Sequence, residues 1–180
     1  MKLFKHLKTV HTHRKAVRKL CFKCGLYKQG LVHDLSKYSP EEFFYSVKYW
    51  TGDHSPIENQ IDDIGYSEAW LHHVGRNKHH FEHWVDLAHE GRNGEFCIIC
   101  EMPLKYIAEM FCDRVGASKA YLWDKYTNDS PLKYAQKGEE RNQKLMTKRV
   151  HDILYGWLGD LAEFGEDYIC DKIKKVLRGK

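Results

Sequence analysis

Leu7, Val10, Val17, Leu20, Cys21 and Cys24 recur at helical spacing, and the run stops at Gly25. A glycine just past the last periodic residue is a good C-terminal cap, so residues 4–24 predict one long helix. The pattern then repeats along the chain. Leu31 to Lys37 reads as a short second helix. Ser39-Pro40-Glu41-Glu42 joins an N-cap serine, a proline at the first helical position and first-turn carboxylates, which start a third helix running to about Trp50. Ser67 caps a helix through Trp70 and His73 that is interrupted near Gly75-Arg76-Asn77. Asn77 then caps another, carrying His79, His80, His83 and Trp84. Met102-Pro103 opens a helix through Ile107, Met110, Phe111 and Asp113, with its apolar face continuing to Ala117 and Tyr121. From about Glu139 the tail is amphipathic through Leu145, Val150, Leu154, Trp157 and Leu161, with a break near Gly165. Residues 51–65 and 128–138 read as loops, 91–94 as a turn, and no segment reads as a strand or a repeat. The expected fold is an all-α, single-domain helical bundle over residues 1–180, with 139–180 as C-terminal amphipathic helices packing on it.

The composition suits such a core. The chain has 180 residues, 42% hydrophobic and 30% charged, as in soluble globular proteins. A net charge of +4 is compatible with a small anionic substrate but too weak and scattered to argue for nucleic acid. No segment reaches the roughly 18 apolar residues of a membrane helix, so no membrane partner is expected. Lys2, Lys5 and Lys8 precede no apolar stretch that would make a secretory signal. Six cysteines without a signal imply reduced thiols and a cytoplasmic protein. Cys21/Cys24 and Cys97/Cys100 have the spacing of a four-thiolate zinc site, but both pairs lie in apolar or helical patterns, and buried core thiols are the preferred reading.

Chemistry concentrates in His33-Asp34-Leu35-Ser36-Lys37. Adjacent His and Asp offer an imidazole nitrogen and a carboxylate oxygen from one segment, and Lys37 can reach the same place. Twelve histidines supply further ligands, and a two-metal centre needs roughly five to seven. His13 or His11 can come from the first helix, and His73, His79 and His80 flank the Gly-Arg-Asn break. Asp113 sits among Ile107, Met110, Phe111, Cys112 and Val115, where a buried carboxylate needs a metal, or else Arg114 or Lys119. His6, His54, His72, His83 and His89 read as surface or supporting residues. His151-Asp152 has Tyr155 where a lysine would be needed and reads as coincidence.

A His, then His-Asp-Leu-Ser-Lys, then a His cluster and an Asp: this order resembles the HD-domain superfamily. On this resemblance His13, preferred to His11, is the first His, His33-Asp34 the signature doublet and Asp113 the final ligand, and the candidate metal ligands between them are His73, His79 and His80, of which either all or only some ligate. It is similar to subgroups carrying two or more metals, the HD-GYP phosphodiesterases and the di-iron oxygenases of the inositol-oxygenase type. No Gly-Tyr-Pro follows the cluster, where Phe81-Glu82-His83-Trp84 stands, so cyclic dinucleotide hydrolysis is not implied. His13 to Lys15, His33 to Pro40, Trp70 to His80 and Glu109 to Asp113 also look like a family of short bacterial and phage proteins of unknown function, over residues 5–125.

The cofactor expected is a divalent metal, two ions of iron, manganese, cobalt or nickel. The leading expectation is a phosphohydrolase acting on a nucleotide or other small phosphate ester, with Asp34, Lys37 and Arg76 as catalytic residues and the two cations neutralising phosphate oxygens. The alternatives are a di-iron oxygenase, which four His and two Asp would suit, and a non-catalytic helical metal-binding module.

Overall fold

The computed structural model describes residues 2–52, 55–88 and 96–179, and the chain is mainly α-helical. Helix α1, Lys2–Lys23, ends as predicted. Leu26 N–H reaches back to Cys21 O and Gly25 N–H to Phe22 O, with Gly25 at φ 82°, the pair of bonds that defines a Schellman cap. Helices α3, Pro40–Tyr49, and α5, Glu68–Arg76, also begin where their caps place them. The Ser67 hydroxyl accepts from Trp70 N–H at 3.1 Å. Helix α6, Leu104–Leu122, follows Pro103. The tail forms α8, Glu139–Leu145, α9, Lys148–Phe164, and α10, Glu166–Leu177, with the expected break at Gly165 and a further one where Thr147 caps α9.

Four expectations need correction. Residues 51–65 are not all loop: α4, Pro56–Ile64, starts at Ser55-Pro56 and stops at Gly65, φ 84°. Residues 128–138 contain α7, Ser130–Lys137, again with a proline in its first turn. Both helices are short and mostly polar, and their serine–proline starts resemble turn signals. A two-stranded antiparallel sheet is also present, β1, Val85–Leu87, paired with β2, Cys97–Ile99. Finally, His33-Asp34 does not lie inside a helix. Helix α2 covers Tyr27–Val32, and a 3-10 turn covers Leu35–Tyr38. The expected 91–94 turn and His54 and His89 lie outside the described residues.

The core is built on α1 and α6, with α9 and α10 packed over them: Val17, Leu20, Phe111, Val115, Leu154, Leu158, Ile169 and Ile173 are almost fully buried. Gly116 lets the two central helices approach closely. A Cβ there would overlap Val17 Cγ2 and stand 3.2 Å from the Val17 backbone nitrogen. One turn before Val17 is His13, and one turn before Gly116 is Asp113, so this crossing sets the two side chains against each other. Cys21, Cys24, Cys112 and Cys170 are buried, whereas Cys97 and Cys100 are exposed, which corrects the expectation of core thiols for that pair. No helix among the described residues is long and apolar enough to cross a membrane.

Candidate metal centre

Two successive residues of a helix point about 100° apart, so a helical His33-Asp34 pair cannot aim both side chains at one point. The chain solves this by leaving α2 at Val32. His33 is extended (ψ 127°), and Asp34 takes the left-handed conformation at φ 54°, ψ 27°. Aspartate tolerates that region better than most residues. Both side chains then face inward, and both residues are almost completely buried.

Around them stand two groups of donors that share Asp34. In the first, His13 Nε2 lies 3.2 Å from Asp34 Oδ2 and 3.1 Å from Asp113 Oδ1. His33 Nε2 lies 3.4 Å and 3.3 Å from the same two oxygens. In the second, His73 Nε2 and His79 Nε2 each lie 3.4 Å from the other oxygen, Asp34 Oδ1. His73 Nε2 is 2.9 Å from His80 Nε2. With bonds of about 2.1 Å, donors on one ion are about 3.0 Å apart along an octahedral edge and about 3.4 Å along a tetrahedral one. The observed spacings fall in or close to that interval. Asp34 Oδ1 and His79 Nε2 are also buried with no hydrogen-bond partner, an arrangement that costs free energy unless a cation meets them. The residues of both groups therefore fit a divalent cation, and Asp34 offers one oxygen to each group.

A surrounding layer orients the imidazoles. One oxygen of Glu109, Oε1, lies 3.1 Å from His33 Nδ1 and 3.3 Å from His79 Nδ1. The two oxygens of Glu42 take His73 Nδ1 at 2.7 Å and His72 Nδ1 at 2.8 Å. Burial pushes both glutamates up, but their imidazole partners hold them below the usual carboxylate range. An ionised carboxylate only accepts, so each of these Nδ1 atoms donates, and the Nε2 atoms of His33, His79 and His73 are the ones that face the Asp34 oxygens. Asn77 holds the turn after α5, with Nδ2 donating to His73 O at 2.8 Å and to Ser36 Oγ at 2.7 Å. It is thus the C-cap of α5 rather than an N-cap, and His79 and His80 lie in the following turn, before a 3-10 helix at Phe81–Trp84.

The centre calls for positive charge. Burial opposes ionisation of Asp34, yet the charges of His33 and Lys37 keep it well below its ordinary value. Asp113 is likewise held low, against burial, by His13 and His33. The surrounding carboxylates, Asp34 foremost, push His33 up to about 10 despite its burial. In the second group burial and the neighbouring rings drive His80 well below its ordinary value, and burial lowers His73. Lys37 Nζ pairs with Asp34 Oδ2 at 2.6 Å, and its side chain is 30% exposed.

All seven residues expected as ligands thus come together, and His13, not His11, is the one at the centre. Asp113 meets His13 and His33, whereas Lys119 pairs with Glu166. Arg76 stands apart, its Nε donating to His72 Nε2 at 2.8 Å. His72 and His83 are supporting residues, His83 Nδ1 donating to Val74 O at 2.7 Å. His6 is not on the surface but buried, its ring 5.5 Å from that of Phe43, and burial followed by the charge of Lys37 lowers it to about 4. His151 binds Glu139 at 2.7 Å, away from both groups. No cysteine enters a metal-compatible group among the described residues. Glu42 was hidden in the sequence as an ordinary first-turn carboxylate, and Glu109 was visible only as a residue one turn from Asp113.

No curated protein and no solved structure matches this chain. A family model described as a family of unknown function (DUF5662) matches residues 2–160, and the chain belongs to that family.

Proposed function

We propose that this chain is a dinuclear metal-dependent phosphohydrolase of the HD-domain type, acting on a nucleotide or another small phosphate ester. The observation that carries the reading is Asp34, whose two oxygens each serve a separate group of imidazole donors, one of those oxygens being buried without a partner. Phosphoryl transfer itself rests on the HD-domain resemblance. Two divalent ions bound there supply a water acidic enough to attack at neutral pH and Lewis acidity toward a phosphoryl oxygen.

The chain's residues do the rest. Glu109 and Glu42 keep protons on the Nδ1 atoms of His33, His79 and His73, which fixes ring orientation before substrate arrives. Lys37 steadies the Asp34 carboxylate, and its ammonium supplies a positive charge beside the centre to neutralise charge developing on a phosphate oxygen. The oxygenase alternative fits four imidazoles, and here five converge: His13, His33, His73, His79 and His80.

The test is hydrolysis of p-nitrophenyl phosphate, its bis ester and a nucleotide panel by protein loaded in turn with manganese, cobalt, nickel or anaerobic iron. Metal-dependent turnover is expected, lost in His33→Ala and reduced about 10²–10³-fold in Lys37→Met. Loaded protein that hydrolyses none of these, yet consumes dioxygen with iron, would move the assignment to the oxygenase.

A further inference from the structure

Behind the metal centre, α2, the turn after α5 and the start of α6 enclose a cleft of about 560 Å³. That is within the roughly 300–1,000 Å³ of small-molecule sites. Lys28, Arg76, Lys78 and Lys105 line it, and all four are exposed. Among the described residues none of the four has a carboxylate within ion-pair distance. Lys133, Lys144, Lys148 and Lys175 each pair with an acid one helical turn away. The one acid lining the cleft is Glu109, which is 5% exposed and whose Oε1 already meets His33 and His79. Four cations without a carboxylate partner among the described residues, Arg76 resting on His72 and Lys105 over the Tyr106 ring, focus a positive potential into one hollow. Val32 and Leu35, each about half exposed, add an apolar wall that suits the carbon portion of a ligand.

We propose that this cleft binds a small organic polyanion carrying two or more phosphate groups, in a position beside the metal centre that shares His79 with it. Lys37, Asp113 and His80 are partly exposed, and none of the three lines the cleft. Glu109 and His79 both line the cleft, and Glu109 Oε1 also meets His33. A ligand in the cleft rests against the carboxylate that holds those rings, a position from which it can bias the centre. The inference goes beyond the hydrolase reading and does not depend on it.

The experiment is calorimetric titration of inorganic tripolyphosphate into chelator-stripped protein at a fixed ionic strength of about 0.15 M, where the Debye length is about 8 Å. Saturable one-to-one binding is expected. It should weaken at least tenfold in Lys28→Ala/Lys105→Ala and stay unchanged in Lys144→Ala/Lys148→Ala. All four lysines are exposed, so both variants keep the fold. No saturable binding, or equal weakening in the two variants, would overturn the proposal. Binding confined to metal-loaded protein would place the anion on the metals and overturn it too, leaving the hydrolase reading intact. A chain that takes up no metal yet binds tripolyphosphate in the expected pattern would keep this site and sink the hydrolase.

Discussion

At the scale of single residues, the donor groups rest on two carboxylates, Glu109 and Glu42, that hold the Nδ1 atoms of their imidazoles. Glu109 serves two imidazoles with one oxygen, so removing its charge loosens His33 and His79 together. Glu109→Gln should keep the fold and lower metal affinity about 10–100-fold, read by competition with a chelator of known affinity. Unchanged affinity would reduce Glu109 to a buried partner with no part in holding the rings. The seven residues that come together were legible in the sequence through the order of their imidazoles and carboxylates. Glu42 was not, since an acid in the first turn of a helix already has a sufficient explanation in the helix dipole. The αL turn at Asp34 was equally hidden: nothing in His-Asp-Leu-Ser announces a left-handed residue, and only the need to aim two adjacent side chains inward explains it.

At the scale of elements, the α1–α6 crossing is the frame of the first donor group. Gly116→Ala sets two effects against each other. Alanine favours a helix over glycine by about 1 kcal/mol, whereas overpacking costs about 1–3 kcal/mol. Because the added methyl group meets the Val17 side chain and comes close to its backbone, overpacking should win. The expected result is a lower urea midpoint together with weaker metal binding as His13 and Asp113 part. A stabilised variant with full metal affinity would show that the crossing yields. A second device ties the last helix to this frame: Glu166 on α10 meets Lys23 of α1 and Lys119 of α6. Burial raises the Glu166 carboxyl, but the hydrogen bonds from Lys119 and Lys23 outweigh it and hold the carboxyl below its ordinary value. A depressed carboxylate contributes stability that is present above its unfolded pKa of about 4.3 and lost as pH falls through the lower folded value. Glu166→Gln should therefore be less stable than the parent at pH 7 and converge on it near pH 3, in denaturant titrations at each pH. The long helices were readable from periodicity and capping. Helices α4 and α7 were missed because eight or nine mostly polar residues give little periodic signal, and Ser-Pro serves turns as well as helix starts.

At the scale of the whole molecule, the fold gathers donors from the first helix, the turn after the second, the end of the fifth and the middle of the sixth into one buried place. Burying so many imidazoles and carboxylates together is costly without a cation, which is the physical reason to read the arrangement as a metal centre rather than as a polar core. The all-α class was legible because helical spacing persists through most of the chain. The convergence of segments more than sixty residues apart was legible only through the order of ligand types. The most direct measurement is elemental analysis of protein purified without oxygen or chelator, beside His33→Ala/Asp34→Ala. The account predicts two equivalents of divalent metal per chain, absent from the double variant. A chain that carries no metal and takes up none on reconstitution would contradict it.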